Sequence, residues 1–190
     1  MSSGDVDATA LVLCGGKSRR LGLDKTEATL GGTSVLAHLL GALPASWTVV
    51  AVGPERATDR DVRWTREMPA GGGPVAAVAA GLPLVPTDLV VVLAGDMPFA
   101  APSAIRLVTV LDGDATIDAV VARDPSGRTN PLLAAYRTDA VRAALPLPPD
   151  GQPARSLLAV AHATLVVPEE DALDVDTPEA LEAARHRLAT

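Results

Sequence analysis

The sequence predicts an α/β fold on a mainly parallel central sheet, and three observations carry that expectation. Short apolar runs rich in Val and Leu recur along the chain, helically spaced apolar residues lie between several of them, and Gly, Pro or Asp bounds each run.

The runs at residues 10–13, 48–52, 89–94, 119–122, 132–136 and 164–167 have the length and composition of strands buried on both faces. Helical spacing follows at Val35, Leu36, Leu39, Leu40 and Leu43, at Val75, Val78 and Leu82, and at Ile105, Val108 and Leu111. Residues 155–160 and 178–188 read as two further helices, the second with Thr177 as N-cap and Pro178 at the first helical position. The stretch LPLPPDGQP, residues 145–153, reads as a mobile loop too short to link two domains. With 190 residues, 48% of them hydrophobic, and no internal repeat, one domain over residues 1–190 is expected, with residues 1–8 disordered.

Composition narrows the partners. A net charge of -7 argues against nucleic acid, because backbone binding needs a broad basic face. The single Cys14 excludes an internal disulfide, and the polar, acidic N-terminus lacks the basic and apolar regions of an export signal, so the cytoplasm is the expected location. The apolar runs are strand-sized, far short of a bilayer span.

Against that acidic background, LVLCGGKSRRLGLDK at residues 11–25 crowds Lys17, Arg19, Arg20 and Lys25 together, and Lys17 and Lys25 are the chain's only lysines. Ligands of open α/β sheets bind beyond the carboxyl ends of the strands, where this loop falls. Gly15 and Gly16 let backbone N–H groups approach an anion, so the loop reads as a phosphate site; the alternative is a tight turn with solvated charges. A Walker A loop would need glycine in place of Leu11, and a dinucleotide-binding G-x-G-x-x-G would need it in place of Lys17, so neither template applies.

Two more motifs bear on chemistry. In LAGDMPF, Asp96 follows an apolar strand and reads as a ligand for Mg²⁺, a hard cation suited to one or two carboxylates plus substrate phosphates; the alternative is a carboxylate that ends the strand or caps a helix near Pro102. In GGGPVAAVAAGL, Gly71, Gly72 and Gly73 precede a helix whose start could admit a flat ring or a phosphate, or be only a flexible turn.

In this order, GGKSRRLGLDK, the GGGP turn, GDMPF and the terminal DVDTPEAL resemble the nucleotidyltransferases that conjugate molybdenum cofactor to a nucleotide, and the chain is most similar to the molybdenum cofactor guanylyltransferase family. The resemblance covers nearly the whole chain and implies a three-layer Rossmann-like nucleotidyltransferase fold. Cytidylyl relatives usually carry Ala-Ala-Gly in the first loop, whereas this chain has Cys14-Gly15-Gly16, so the likeness leans to guanine.

The implied activity is transfer of GMP from GTP to the terminal phosphate of molybdenum cofactor, releasing pyrophosphate. Leu13, Cys14, Gly15 and Gly16 would bring backbone to the nucleotide, with Gly73 at the turn beyond. Lys25 would bind phosphates, Glu67 would contact the nucleoside and Asp96 would hold Mg²⁺, while Arg19 or Arg20 would help Lys25 stabilise the leaving pyrophosphate. Arg155 resembles a family arginine at the pterin end. Asp174 and Asp176 depart from asparagines found in some members, and ionised aspartate cannot donate hydrogen bonds. Val52-Gly53 departs too, where some members offer a polar base contact.

The implied partners are GTP and molybdopterin, without nucleic acid or membrane, and transient contact with the molybdenum-insertion enzyme or a chaperone of the target apoenzyme. The same loop and Asp96 would equally serve cytidylyl transfer to molybdopterin, transfer to a sugar 1-phosphate, or a nucleotide-binding regulatory module without catalysis.

Overall fold

In the computed structural model, residues 6–15 and 25–189 are described. In chain order the elements are β1 (Thr9–Leu13), β2 (Thr29–Leu30), β3 (Thr33–Ser34), α1 (Val35–Ala42), β4 (Thr48–Val52), β5 (Arg63–Thr65), α2 (Pro74–Gly81), β6 (Leu89–Ala94), α3 (Ala101–Asp112), β7 (Ala119–Arg123), β8 (Thr129–Arg137), α4 (Thr138–Ala144), β9 (His162–Val166) and α5 (Pro178–Ala189). Short 3-10 turns occupy Lys25–Glu27, Leu82–Leu84 and Ala154–Leu158.

Seven strands form one sheet in the order β5-β4-β1-β6-β8-β7-β9, and β2 and β3 form a separate hairpin. Strand β8 runs antiparallel to both β6 and β7, while every other pairing in the large sheet is parallel. The mainly parallel α/β architecture expected from the runs is thus the observed one. The chain leaves β1 toward β4 on one side and returns to β6 on the other, so the topological switch lies between β1 and β6.

Side-chain alternation explains the three layers. Along β1, Ala10 and Val12 face the core built with α1 and α3, whereas Leu11 and Leu13 face the core built with α2. Leu11, Leu39, Leu93 and Leu107 are fully buried. Each such side chain contributes about 1.5–3 kcal/mol, against about 0.3–0.5 kcal/mol for an exposed helical ion pair such as Arg142–Asp139, so the apolar layers hold the fold.

A third, smaller core joins Leu30, Val35, Phe99, Val175 and Leu181, and fastens α5 and the segment before it near the sheet. The expected cap of α5 is present: Thr177 Oγ1 accepts from the Ala180 N–H at 3.1 Å. No helix among the described residues is long and apolar enough to cross a membrane.

Several expectations need correction. Residues 6–8 are ordered: Trp47 Nε1 donates to the Val6 carbonyl at 2.9 Å and Ala8 is fully buried. The expected helix over 155–160 is only the 3-10 turn Ala154–Leu158, which starts directly after Pro153 and has no room for a second α-turn before β9. Leu82 lies beyond the end of α2, in the following turn. The strand pattern also misses β5, the β2–β3 hairpin and α4, which are too short to show a period. The expected loop at 145–153 docks on the glycine turn, where Gly151 N–H donates to the Gly72 carbonyl at 2.8 Å.

Candidate active site

The carboxyl ends of β1, β4, β5 and β6 are stapled by backbone bonds that continue past the strands. Cys14 N–H donates to Val52 at 2.8 Å, Gly53 N–H to Thr65 at 2.9 Å and Gly95 N–H to Leu13 at 2.9 Å. Gly53 is required there: its φ is +152°, and a Cβ on it would stand 2.8 Å from the Cys14 carbonyl carbon. The loops after β1 and β4 therefore meet backbone to backbone.

Above these ends opens a cleft of about 580 Å³, a volume suited to a small-molecule ligand. Leu13, Cys14 and Gly15 form one wall; Arg66, Glu67, Gly71 and Gly73 form another, where α2 begins; Lys25, Thr26 and Asp96 stand at the switch point. Gly73 takes φ +95° as N-cap of α2.

Lys25 Nζ lies 3.8 Å from Asp96 Oδ2, and both side chains keep roughly a fifth of their surface open to the cleft. Burial pushes the Asp96 carboxyl up, and Lys25 opposes that shift by attraction. Glu67 is 93% buried by its 7% relative exposure. Its Oε1 accepts from the Gly71 N–H at 2.9 Å, while its buried Oε2 has no hydrogen-bond partner among the described residues. Both carboxylate oxygens lie within 3.8 Å of where a Gly15 Cβ would be, so the bare backbone of Gly15 leaves the carboxylate facing the cleft.

A second cavity of about 200 Å³ adjoins the first, lined by Asn130, Asp174 and Asp176 and sharing Lys25, Ala94, Asp96 and Leu132 with it. The segment carrying the two aspartates is tied to the site, for Val175 N–H donates to the Asp96 carbonyl at 2.9 Å. Desolvation and then the like charges of Asp96 and Asp176 push the Asp174 carboxyl up to about 6, while Lys25 and Arg128 pull it down. The residue keeps an exposed surface, so water screens these charges in part.

Among the described residues, no group of three or more His, Cys, Asp or Glu side chains is arranged to hold a metal ion. Asp96 and, across the adjoining cavity, Asp174 and Asp176 are the carboxylates that would be available to one. That fits Mg²⁺, which takes one or two carboxylates and completes its octahedron with phosphate oxygens and water.

Of the residues singled out in the sequence, Leu13, Cys14, Gly15, Lys25, Glu67, Gly73 and Asp96 line the first cleft, and Asp174 and Asp176 the second. Arg155 is exposed on its 3-10 turn and lines neither cavity. Gly16, Arg19 and Arg20, with Lys17, lie outside the described residues. Sequence reasoning missed Thr26, Arg66 and Leu132, whose only signal is adjacency to a residue already singled out or to a strand end.

The family profile of the MobA-like NTP transferase domain matches residues 10–166. A probable molybdenum cofactor guanylyltransferase of Natronomonas pharaonis is 29% identical over 206 aligned positions, spanning 96% of this chain and 99% of that protein. The molybdenum cofactor guanylyltransferase of Rhizobium leguminosarum bv. trifolii is 35% identical over 140 positions, covering 70% of this chain and 64% of its own. In fold, the chain resembles the crystal structure of molybdopterin-guanine dinucleotide biosynthesis protein A from Archaeoglobus fulgidus, with a TM-score of 0.75 at 22% identity over 95% of this chain and 98% of that one.

Proposed function

The chain belongs to the MobA-like NTP transferase domain family, and on that premise we propose that this nucleotidyltransferase moves GMP from GTP to the terminal phosphate of molybdenum cofactor. One observation carries the reading: two cavities share Lys25 and Asp96 as common walls, so a nucleotide in the larger and an acceptor in the smaller would meet at that pair. The names of the relatives in Natronomonas and Rhizobium support the guanylyl branch and the molybdenum cofactor acceptor.

In the proposed reaction an acceptor phosphate oxygen bonds to the α-phosphorus of GTP, and the bond from that phosphorus to the oxygen bridging to the β-phosphate breaks, releasing pyrophosphate. Two anions must approach, so the protein's work is positioning and charge stabilisation, and no side-chain nucleophile is needed. Lys25 would bind phosphate oxygens as a point charge. The backbone of Leu13, Cys14 and Gly15 would seat the nucleotide, and the family likeness would add Gly16, Arg19 and Arg20, which lie outside the described residues. The Glu67 oxygen that has no partner among the described residues would accept an N–H or O–H from the nucleoside, and Gly73 at the start of α2 would let it approach the backbone. Asp96, with Asp174 or Asp176, would hold Mg²⁺, which when bound neutralises phosphate charge and polarises the α-phosphoryl group. Asp174 and Asp176 would also line the acceptor side. Arg155 would need a longer reach to take part.

The test is pyrophosphate release by the purified protein with Mg²⁺ and molybdenum cofactor, run in parallel with GTP, CTP and ATP. Release with GTP alone is expected; release with CTP alone would reassign the base, and silence with all three alongside nucleotide binding would overturn the acceptor.

A further inference from the structure

Arg56, on the loop after β4, lines neither cavity, yet its side chain is only 10% exposed. Its guanidinium spans three pieces of chain. Nη2 donates to the Cys14 carbonyl at 3.5 Å, at the end of β1; Nη1 donates to Thr26 Oγ1; Nε donates to the Pro54 carbonyl at 3.4 Å and lies 3.7 Å from the Glu27 carboxylate. Thr26 and Glu27 share a single 3-10 turn with Lys25. Arg56 therefore joins the chain on both sides of residues 16–24: the Cys14–Gly15 backbone before them and the Lys25 turn after them.

We propose that Arg56 is a positioning residue for the nucleotide cleft, holding the Lys25 ammonium at a set reach from the Cys14–Gly15 backbone; this rests on the reading of that cleft as a triphosphate site. The chemistry favours arginine. A planar guanidinium offers five N–H donors in a rigid fork and can engage a carbonyl, a hydroxyl and a carboxylate at once, whereas the single ammonium of lysine on its flexible stem cannot hold the three at fixed spacing. Arg60 provides a contrast within the same loop: it donates to the carbonyls of Leu40, Leu43, Pro44 and Trp47, between the last turn of α1 and the start of β4, lines neither of the two site cavities, and among the described residues has no hydrogen bond to the Lys25 turn.

The experiment is a double-mutant cycle read by calorimetric titration with Mg²⁺-GTP, repeated with CTP and ATP because all three present the same triphosphate. Arg56→Ala should weaken binding about tenfold or more in the otherwise native protein and by less than about twofold in the Lys25→Ala background, since the two residues act as one unit. Arg60→Ala should lower thermal stability with no such coupling. Arg56→Lys keeps the charge without the fork; it should also lose affinity, again only when Lys25 is present, and it carries the test if Arg56→Ala does not fold. Equal losses from the Arg56 substitution with and without Lys25, or native affinity in Arg56→Lys, would overturn the positioning role alone. A native protein that binds none of the three triphosphates would overturn the cleft reading, and this inference with it.

Discussion

Lys25 Nζ stands 3.8 Å from the Asp96 carboxylate at the switch between β1 and β6, so the cation that would meet phosphate and the carboxylate that would meet its counter-ion lie at ion-pair distance. Lys25→Ala and Asp96→Ala should each lower turnover by about 10²–10³-fold, the usual cost of removing one group that stabilises transition-state charge, while leaving the melting temperature nearly native. Both side chains face the cleft, which is why folding should survive. Full activity in both variants would remove this pair from the site.

The pair also makes a prediction about pH. Burial raises the Asp96 carboxyl and Lys25 counteracts it. Activity that needs ionised Asp96 falls as pH drops through that carboxyl's pKa, so residual activity in Lys25→Ala should lose its acid limb at higher pH than the native enzyme. A pH–rate profile of both proteins tests this, and an unmoved acid limb would assign it to another group.

Glu67, in the cleft wall, holds Gly71 with one oxygen, while the other is buried with no hydrogen-bond partner among the described residues. Glu67→Gln keeps the shape and the acceptor for Gly71 but replaces the free oxygen's charge. The Michaelis constant for GTP should rise about tenfold with turnover little changed, the pattern of lost uniform binding. Initial-rate kinetics with varied GTP separate the two constants.

Gly53→Ala should destabilise the fold by about 1–3 kcal/mol, because an alanine at φ +152° is strained and its methyl would press on the Cys14 carbonyl. Urea denaturation should show a lower midpoint at unchanged slope. A native midpoint would mean that the β1 and β4 loops can part at little cost.

Asp174 sits up near 6, above its ordinary value of 3.8, because desolvation and like charges disfavour its ionised form in the folded chain. The folded state therefore holds that proton more tightly than the unfolded one, and stability attributable to this group is lost as pH rises from about 4 through about 6. Asp174→Asn should melt higher than the native protein at pH 8, with the gap closing by pH 4. Screening of an exposed carboxylate limits the effect to about 1 kcal/mol, or about 2–4 °C in a chain of this size. Calorimetric scans at the two pH values decide it.

By itself the sequence determined what depends on near neighbours. Runs such as Leu89–Ala94 must be buried on both faces, Thr177 caps the helix begun by Pro178, and Gly15 sits just past the end of a strand. These follow from side-chain size, backbone freedom and periodicity, which act over a few residues. Motif order carried the family as well, because Cys14-Gly15 directly follows β1 and Gly95-Asp96 directly follows β6. Tertiary structure alone decided which distant groups meet. No period announces that β8 reverses direction, that Val175 docks on Asp96, that Glu67 faces Gly15, or that Arg56 reaches both Cys14 and Thr26. Each of those contacts closes a long loop, and its geometry is set by how three layers pack around one sheet, a property of the whole chain that no local window contains.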